Sequence, residues 1–120
     1  MELNTPEKTA VLSGFDIDFE YGDVLRLDNF NYIVVFSKER LSSKTSFLAK
    51  VYNNEGNLIF VIPFPDVEID NRKINLIYGW SWEIDNELRM VFNTNDRNMR
   101  DFWYGFDLVL RKYTGHNRAY

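Results

Sequence analysis

Carboxylates recur at every second position in three places along this 120-residue chain. Asp16, Asp18 and Glu20 alternate with Phe15, Ile17 and Phe19, and Asp66, Glu68 and Asp70 bracket Val67 and Ile69. Glu83, Asp85 and Glu87 form the third set. On an extended backbone, side chains two residues apart share a face and stand about 7 Å from one another. Like charges so aligned repel, and their face must be hydrated or opposed by cations. The bland reading is an amphipathic strand showing its polar side to water. The functional reading is an acidic docking surface for a basic protein.

Two carboxylates about 5–9 Å apart beside aromatic rings would also suit glycoside hydrolysis. Trp80, Trp82, Trp103, Tyr78 and Tyr104 are the rings available for sugar stacking. Trp80 and Trp82, however, fall on the parity assigned below to the interior, where burial accounts for them without a ligand. Trp103 has the opposite parity from Phe102 and Tyr104, with Gly105 and Asp107 beside it. It is the aromatic residue expected to anchor a partner.

Other chemistry is thinly represented. The chain has one histidine, His116, and no cysteine, so neither a nucleophile–histidine pair nor a thiolate metal site is expected. Its six glycines are scattered singly and make no phosphate loop. Asn93, Asn95, Asp96, Asn98 and Asp101 crowd one segment, but Arg97 and Arg100 lie among them and the glycine and closing glutamate of a calcium loop are missing. That segment reads as a solvated loop. No catalytic residue, metal or cofactor is expected.

Charge narrows the partner. Fourteen Lys and Arg against eighteen Asp and Glu give a formal charge of −4, which disfavours nucleic acid and anionic membranes. Residues 1–36 carry seven acids and two bases, and residues 51–88 again seven and two, whereas 37–50 and 89–120 are net basic. Such segregation steers an oppositely charged partner. The first fourteen residues hold no apolar core of a signal peptide, and the longest apolar run, Leu58–Phe64, is far too short to span a bilayer. With no cysteine, a cytoplasmic setting is expected.

The elements that must position these residues are strands. The longest alternation is Ile74–Ile84, with Ile74, Leu76, Tyr78, Trp80, Trp82 and Ile84 on one parity. Its partner is Glu87–Asn93. A two-residue turn at Asp85-Asn86 would oppose Trp82 to Arg89. A loop centred on Asn86 would oppose Trp82 to Met90 and Trp80 to Phe92, keeping both tryptophans inside, and this register is the one expected.

Elsewhere, Thr5-Pro6-Glu7 predicts a helix over 6–12, with Thr5 as its cap. Strands are expected at 15–21, 24–27 and 30–36, with a turn at Tyr21-Gly22-Asp23. Phe47–Asn53 and Leu58–Phe64 make a hairpin about Gly56, the second strand central in its sheet until Pro63 and Pro65 stop the pairing. Phe102–Leu110 is the last strand expected, with a fraying tail over 111–120.

The whole is one domain, 1–120, mainly β. About seven antiparallel strands form a meander closed into a sandwich or a strongly curled sheet, with one short N-terminal helix; a closed barrel is the alternative. The corresponding function is a non-enzymatic protein-binding module, an immunity or inhibitor protein that occludes a basic toxin or enzyme. Its contacts would be Asp16, Asp18, Glu20, Asp66, Glu68, Asp70, Glu83, Asp85, Glu87 and Trp103. The alternatives are a carbohydrate- or small-ligand-binding module and an oligomeric subunit paired through sheet edges.

Overall fold

The computed structural model describes residues 2–69, 71–94 and 102–118, the last three of these and residue 69 by backbone alone. Among the described residues a single helix, α1 (Thr5–Val11), precedes ten strands. Strands β1 (Tyr21–Leu27), β2 (Tyr32–Ser37), β3 (Ala49–Asn53) and β4 (Leu58–Ile62) form one antiparallel sheet in chain order. Strands β7 (Leu76–Ile84), β8 (Glu87–Thr94), β9 (Phe102–Asp107) and β10 (Lys112–Arg118) form a second, again in chain order. The short pair β5 (Glu68–Ile69) and β6 (Arg72–Lys73) lies between them.

The two meanders pack as a sandwich. Leu25, Leu27, Val34, Phe36, Val51 and Ile62 of the first sheet share one buried cluster with Leu76, Tyr78, Leu88, Met90, Phe92 and Phe106 of the second. Phe36 stacks on Tyr78 across the interface at 4.6 Å, and Phe60 on Phe106 at 6.0 Å.

The helix is as expected, but its cap is Asn4. The Asn4 side chain accepts the Glu7 N–H at 3.0 Å, and the Glu7 carboxylate accepts the Asn4 N–H at 3.1 Å. A capping box needs its acid three residues past the cap, and Glu7 stands three from Asn4 but only two from Thr5.

Residues 15–20 form no strand. They run over the outer face of the first sheet, where Phe15, Ile17 and Phe19 pack with Leu3 and Leu12 onto Val24, Ile33, Val35 and Tyr52. Alternation is satisfied there by lying flat on a sheet, without a ladder. Tyr21-Gly22-Asp23 is not a turn but the start of β1, irregular between Tyr21 and Val24. β4 is an edge strand rather than a central one, with Leu58 and Val61 exposed. β9 ends at Asp107, short of the expected Leu110, which lies exposed in the following turn. The tail does not fray: Lys112–Arg118 is β10, paired along β9.

Two phenols, the buried Tyr78 and the half-buried Tyr113, give a pH signature. Tyr78 donates to Ser81 Oγ at 2.8 Å and Tyr113 donates to the Pro63 carbonyl. Burial pushes both above the ordinary tyrosine value of 10.0. The folded chain therefore keeps two protons that the unfolded chain releases above about pH 10. Stability should be fully present below that pH and fall as pH rises through it. The urea midpoint is expected to decline above pH 10, and Tyr113→Phe should make that decline shallower. An equal slope in the variant would remove Tyr113 from the explanation.

Candidate functional site

The site is set by one residue, Gly79. The Tyr78–Phe92 pair belongs to the interior, whereas beyond it Trp80 pairs with Val91, Ser81 with Met90 and Trp82 with Arg89. Gly79 is left over as a bulge. The turn is the two-residue Asp85-Asn86, with Asp85 at φ 52°. Asp85 adopts the left-handed conformation that such tight turns demand. The expected register, Trp82 opposite Met90, is thus incorrect.

The bulge reverses parity, since one inserted residue turns every following side chain to the other side. Trp80 is 57% exposed and Ile84 39%, while Trp82 is half-buried. The assignment of Trp80 and Trp82 to the interior is corrected accordingly. The position of Trp82 among interior residues is taken by Ser81 and Glu83, opposite Met90 and Leu88. One oxygen of Glu83, Oε2, is sheltered from water and accepts no hydrogen bond among the described residues.

Trp103, half-buried, pairs with Val91 on β8 and so joins the same outer face. Trp80 and Trp82 lie 5.0 Å apart with planes at 33°. The Arg89 guanidinium sits 4.4 Å above the Trp103 ring and its Nε is 3.4 Å from the Glu87 carboxylate. Gly105, opposite Arg89 in the ladder, makes room for this arrangement, because a Cβ there would collide with the Glu87 carboxylate. Beneath the rings Val91 is buried. Three tryptophans around a held arginine therefore occupy one face.

No protein family, curated protein or solved structure matches the chain. Function must be argued from the geometry.

The acids are not gathered on one surface. Asp16, Asp18 and Glu20 lie on the segment covering the first sheet, where Asp18 is 3.5 Å from Lys50 and Glu20 is 4.0 Å from Lys38. Burial first, and then the Asp18 and Asp16 carboxylates, raise the pKa of Tyr52 beneath them. Asp66 meets Lys73 at 3.8 Å and Glu68 is exposed nearby on β5. Glu83 is turned toward the interior face, Asp85 occupies the turn, and Glu87 is engaged with Arg89 on the outer face. Asp70 lies outside the described residues, as do residues 95–101 of the polar segment. Pairs this exposed contribute little to stability but do reduce the local field.

The two sheets differ in what covers them. Besides the interior, the described residues form one further buried hydrophobic cluster, and it lies on the outer face of the first sheet. The second sheet has no such cover among the described residues. Two open depressions, of about 350 and 370 Å³, lie elsewhere: one beside α1, lined by Phe15, Arg26 and Asp28, the other lined by Ser42, Pro65 and Asn75. Among the described residues no three His, Cys, Asp or Glu side chains are placed to share a metal ion, and no helix is long and apolar enough to cross a membrane. The Trp80–Trp82 grouping was hidden from sequence reading; a glycine interrupting an alternating strand was the available sign of a bulge.

Proposed function

We propose that the chain is a non-catalytic protein-binding module that docks its partner on the outer face of the second sheet. One observation carries this reading: Trp80 is more than half exposed beside Trp82, on the same face as Trp103 and Arg89, which no other described element covers. An exposed tryptophan flanked by two half-buried ones and an arginine has the composition of an interface hot spot. A monomeric chain gains nothing from leaving such rings in water.

The partner is a basic protein, a toxin or enzyme occluded in the manner of an immunity protein. The net charge of −4 attracts it over a distance of about one Debye length, roughly 8–10 Å, and the tryptophans hold it. In this division the acids govern the rate of association and the rings govern dissociation. The tilted Trp80–Trp82 pair supports a second reading, a carbohydrate module in which the rings stack on sugar faces.

Affinity capture from the native host, followed by titration of the captured protein, tests both. Trp80→Ala should weaken binding by about tenfold or more with an unchanged circular dichroism spectrum, because the ring contributes little to folding. Raising salt should slow association. Unaltered affinity in Trp80→Ala and Trp103→Ala would sink the docking face. Tryptophan fluorescence responding to oligosaccharides, and losing that response in Trp103→Ala, would favour the carbohydrate reading instead.

A further inference from the structure

β7 is an edge of the second sheet, and it is covered along only part of its length. Its first half is capped by the 40–42 segment. Ser42 N–H donates to the Leu76 carbonyl at 3.0 Å, Tyr78 N–H donates to the Arg40 carbonyl at 2.8 Å, and the Arg40 guanidinium reaches the Gly79 carbonyl at 3.3 Å. Beyond Gly79, β8 is the sole ladder partner of residues 80–84 among the described residues. The open window is five residues long, ends at the Asp85-Asn86 turn, and is centred on Trp82. It contains no proline or lysine; the bulge at Gly79 and the inward-turned Glu83 are the guards it does carry.

We infer that this window pairs antiparallel with the same window of a second copy, with Trp82 on a two-fold axis. Backbone alternation supplies the donors and acceptors. Leu76 and Tyr78 turn backbone groups outward to Ser42 and Arg40, and with Gly79 inserted the alternation turns those of Trp80, opposite Val91, toward β8. Ser81 and Glu83 are then the outward residues. About the axis, Ser81 opposes Glu83 of the second copy twice over, giving four backbone hydrogen bonds. Side-chain chemistry agrees with this register. On the interior side each Ser81 hydroxyl faces the other copy's Glu83 side chain across the axis. Ser81 Oγ already accepts from Tyr78 and so has its own proton to give. On the outer side Trp82 meets its counterpart and Trp80 meets Ile84. The contact is isologous and closes on itself, so it yields a dimer and not a fibre. It also deepens the preceding reading, and in this respect rests on it, by joining both sets of tryptophans into one continuous face.

The test needs only the purified chain, so its outcome is independent of any partner. Sedimentation of the native protein should show a concentration-dependent species of twice the 14.3 kDa chain mass. The chain has no cysteine, which makes a single introduced thiol diagnostic. Opposed residues on the axis have Cα atoms about 4.5 Å apart, within the range a disulfide bridges. Oxidised Trp82→Cys should become a cross-linked dimer, whereas Val109→Cys, exposed on the β9–β10 turn two strands in from the edge, should remain single. Ser81→Pro removes an outward N–H that the monomer does not use, and should weaken dimerisation at least tenfold while keeping the fold. A native chain that stays monomeric at millimolar concentration would overturn the inference. So would Trp82→Cys cross-linking no faster than Val109→Cys, or Ser81→Pro dimerising like the native chain.

Discussion

Replacing Phe92 by alanine should remove about 3–5 kcal/mol of folding stability, the largest single-residue loss expected in this protein. Phe92 is fully buried. Its ring centre lies 6.3 Å from Phe64, 6.0 Å from Tyr78 and 6.2 Å from Tyr104, which joins β8 to β7, to β9 and to the segment after β4. Truncation forfeits the transfer of the ring from water and leaves a cavity that these aromatic neighbours cannot close by rotamer changes. A domain of this size has about 5–15 kcal/mol in total, so the variant should lose a large share of its margin. The melting temperature should drop by about 10–20 °C. Urea unfolding followed by circular dichroism measures the loss, with Val109→Ala, exposed on its turn, as a control within about 0.5 kcal/mol of the native chain. A loss under about 1.5 kcal/mol would mean that Phe92 is not enclosed between two sheets.

Gly56→Val is the second large effect, expected at about 2–4 kcal/mol, and it arises from two separable causes. Gly56 has φ +88°, a conformation that a β-branched residue resists. A Cβ at that position would also lie 3.0 Å from Cδ1 of Phe15, which packs on the outer cluster of the first sheet. Gly14 offers the comparison, since its φ of +84° is similar but nothing lies within 4 Å of an added Cβ. Gly14→Val should therefore cost only the backbone strain, about 1–2 kcal/mol. The difference between the two variants measures the Phe15 contact. Equal costs would show that Phe15 does not press on the β3–β4 turn.

Much of the architecture is legible in the residue pattern. The residue pattern locates seven of the eight strands of the two sheets, the proline pair ends β4, and Asn53–Asn57 marks a hairpin turn. A basic, polar tail gives no sign of β10, because an edge strand needs only one paired side and few apolar residues. At 15–20 the opposite error arises. An alternating segment can bury its odd residues by lying on a sheet face as well as by entering a sheet, and the pattern is the same in both cases.

The candidate site shows the same division more sharply. Composition and alternation by themselves determined an all-antiparallel β domain with an aromatic interior, an acidic charge and three tryptophans near the second hairpin. They could not determine which way the tryptophans point. The Asp85-Asn86 turn sets one register and the packing of Tyr78 on Phe92 sets another, and the two differ by a single residue. Tertiary packing resolved the conflict by extruding Gly79, the residue with no side chain to lose. Each half of β7 is consistent with its own local signal, and only the folded sandwich joins them out of phase. That phase change is what places Trp80 and Trp82 in reach of a partner.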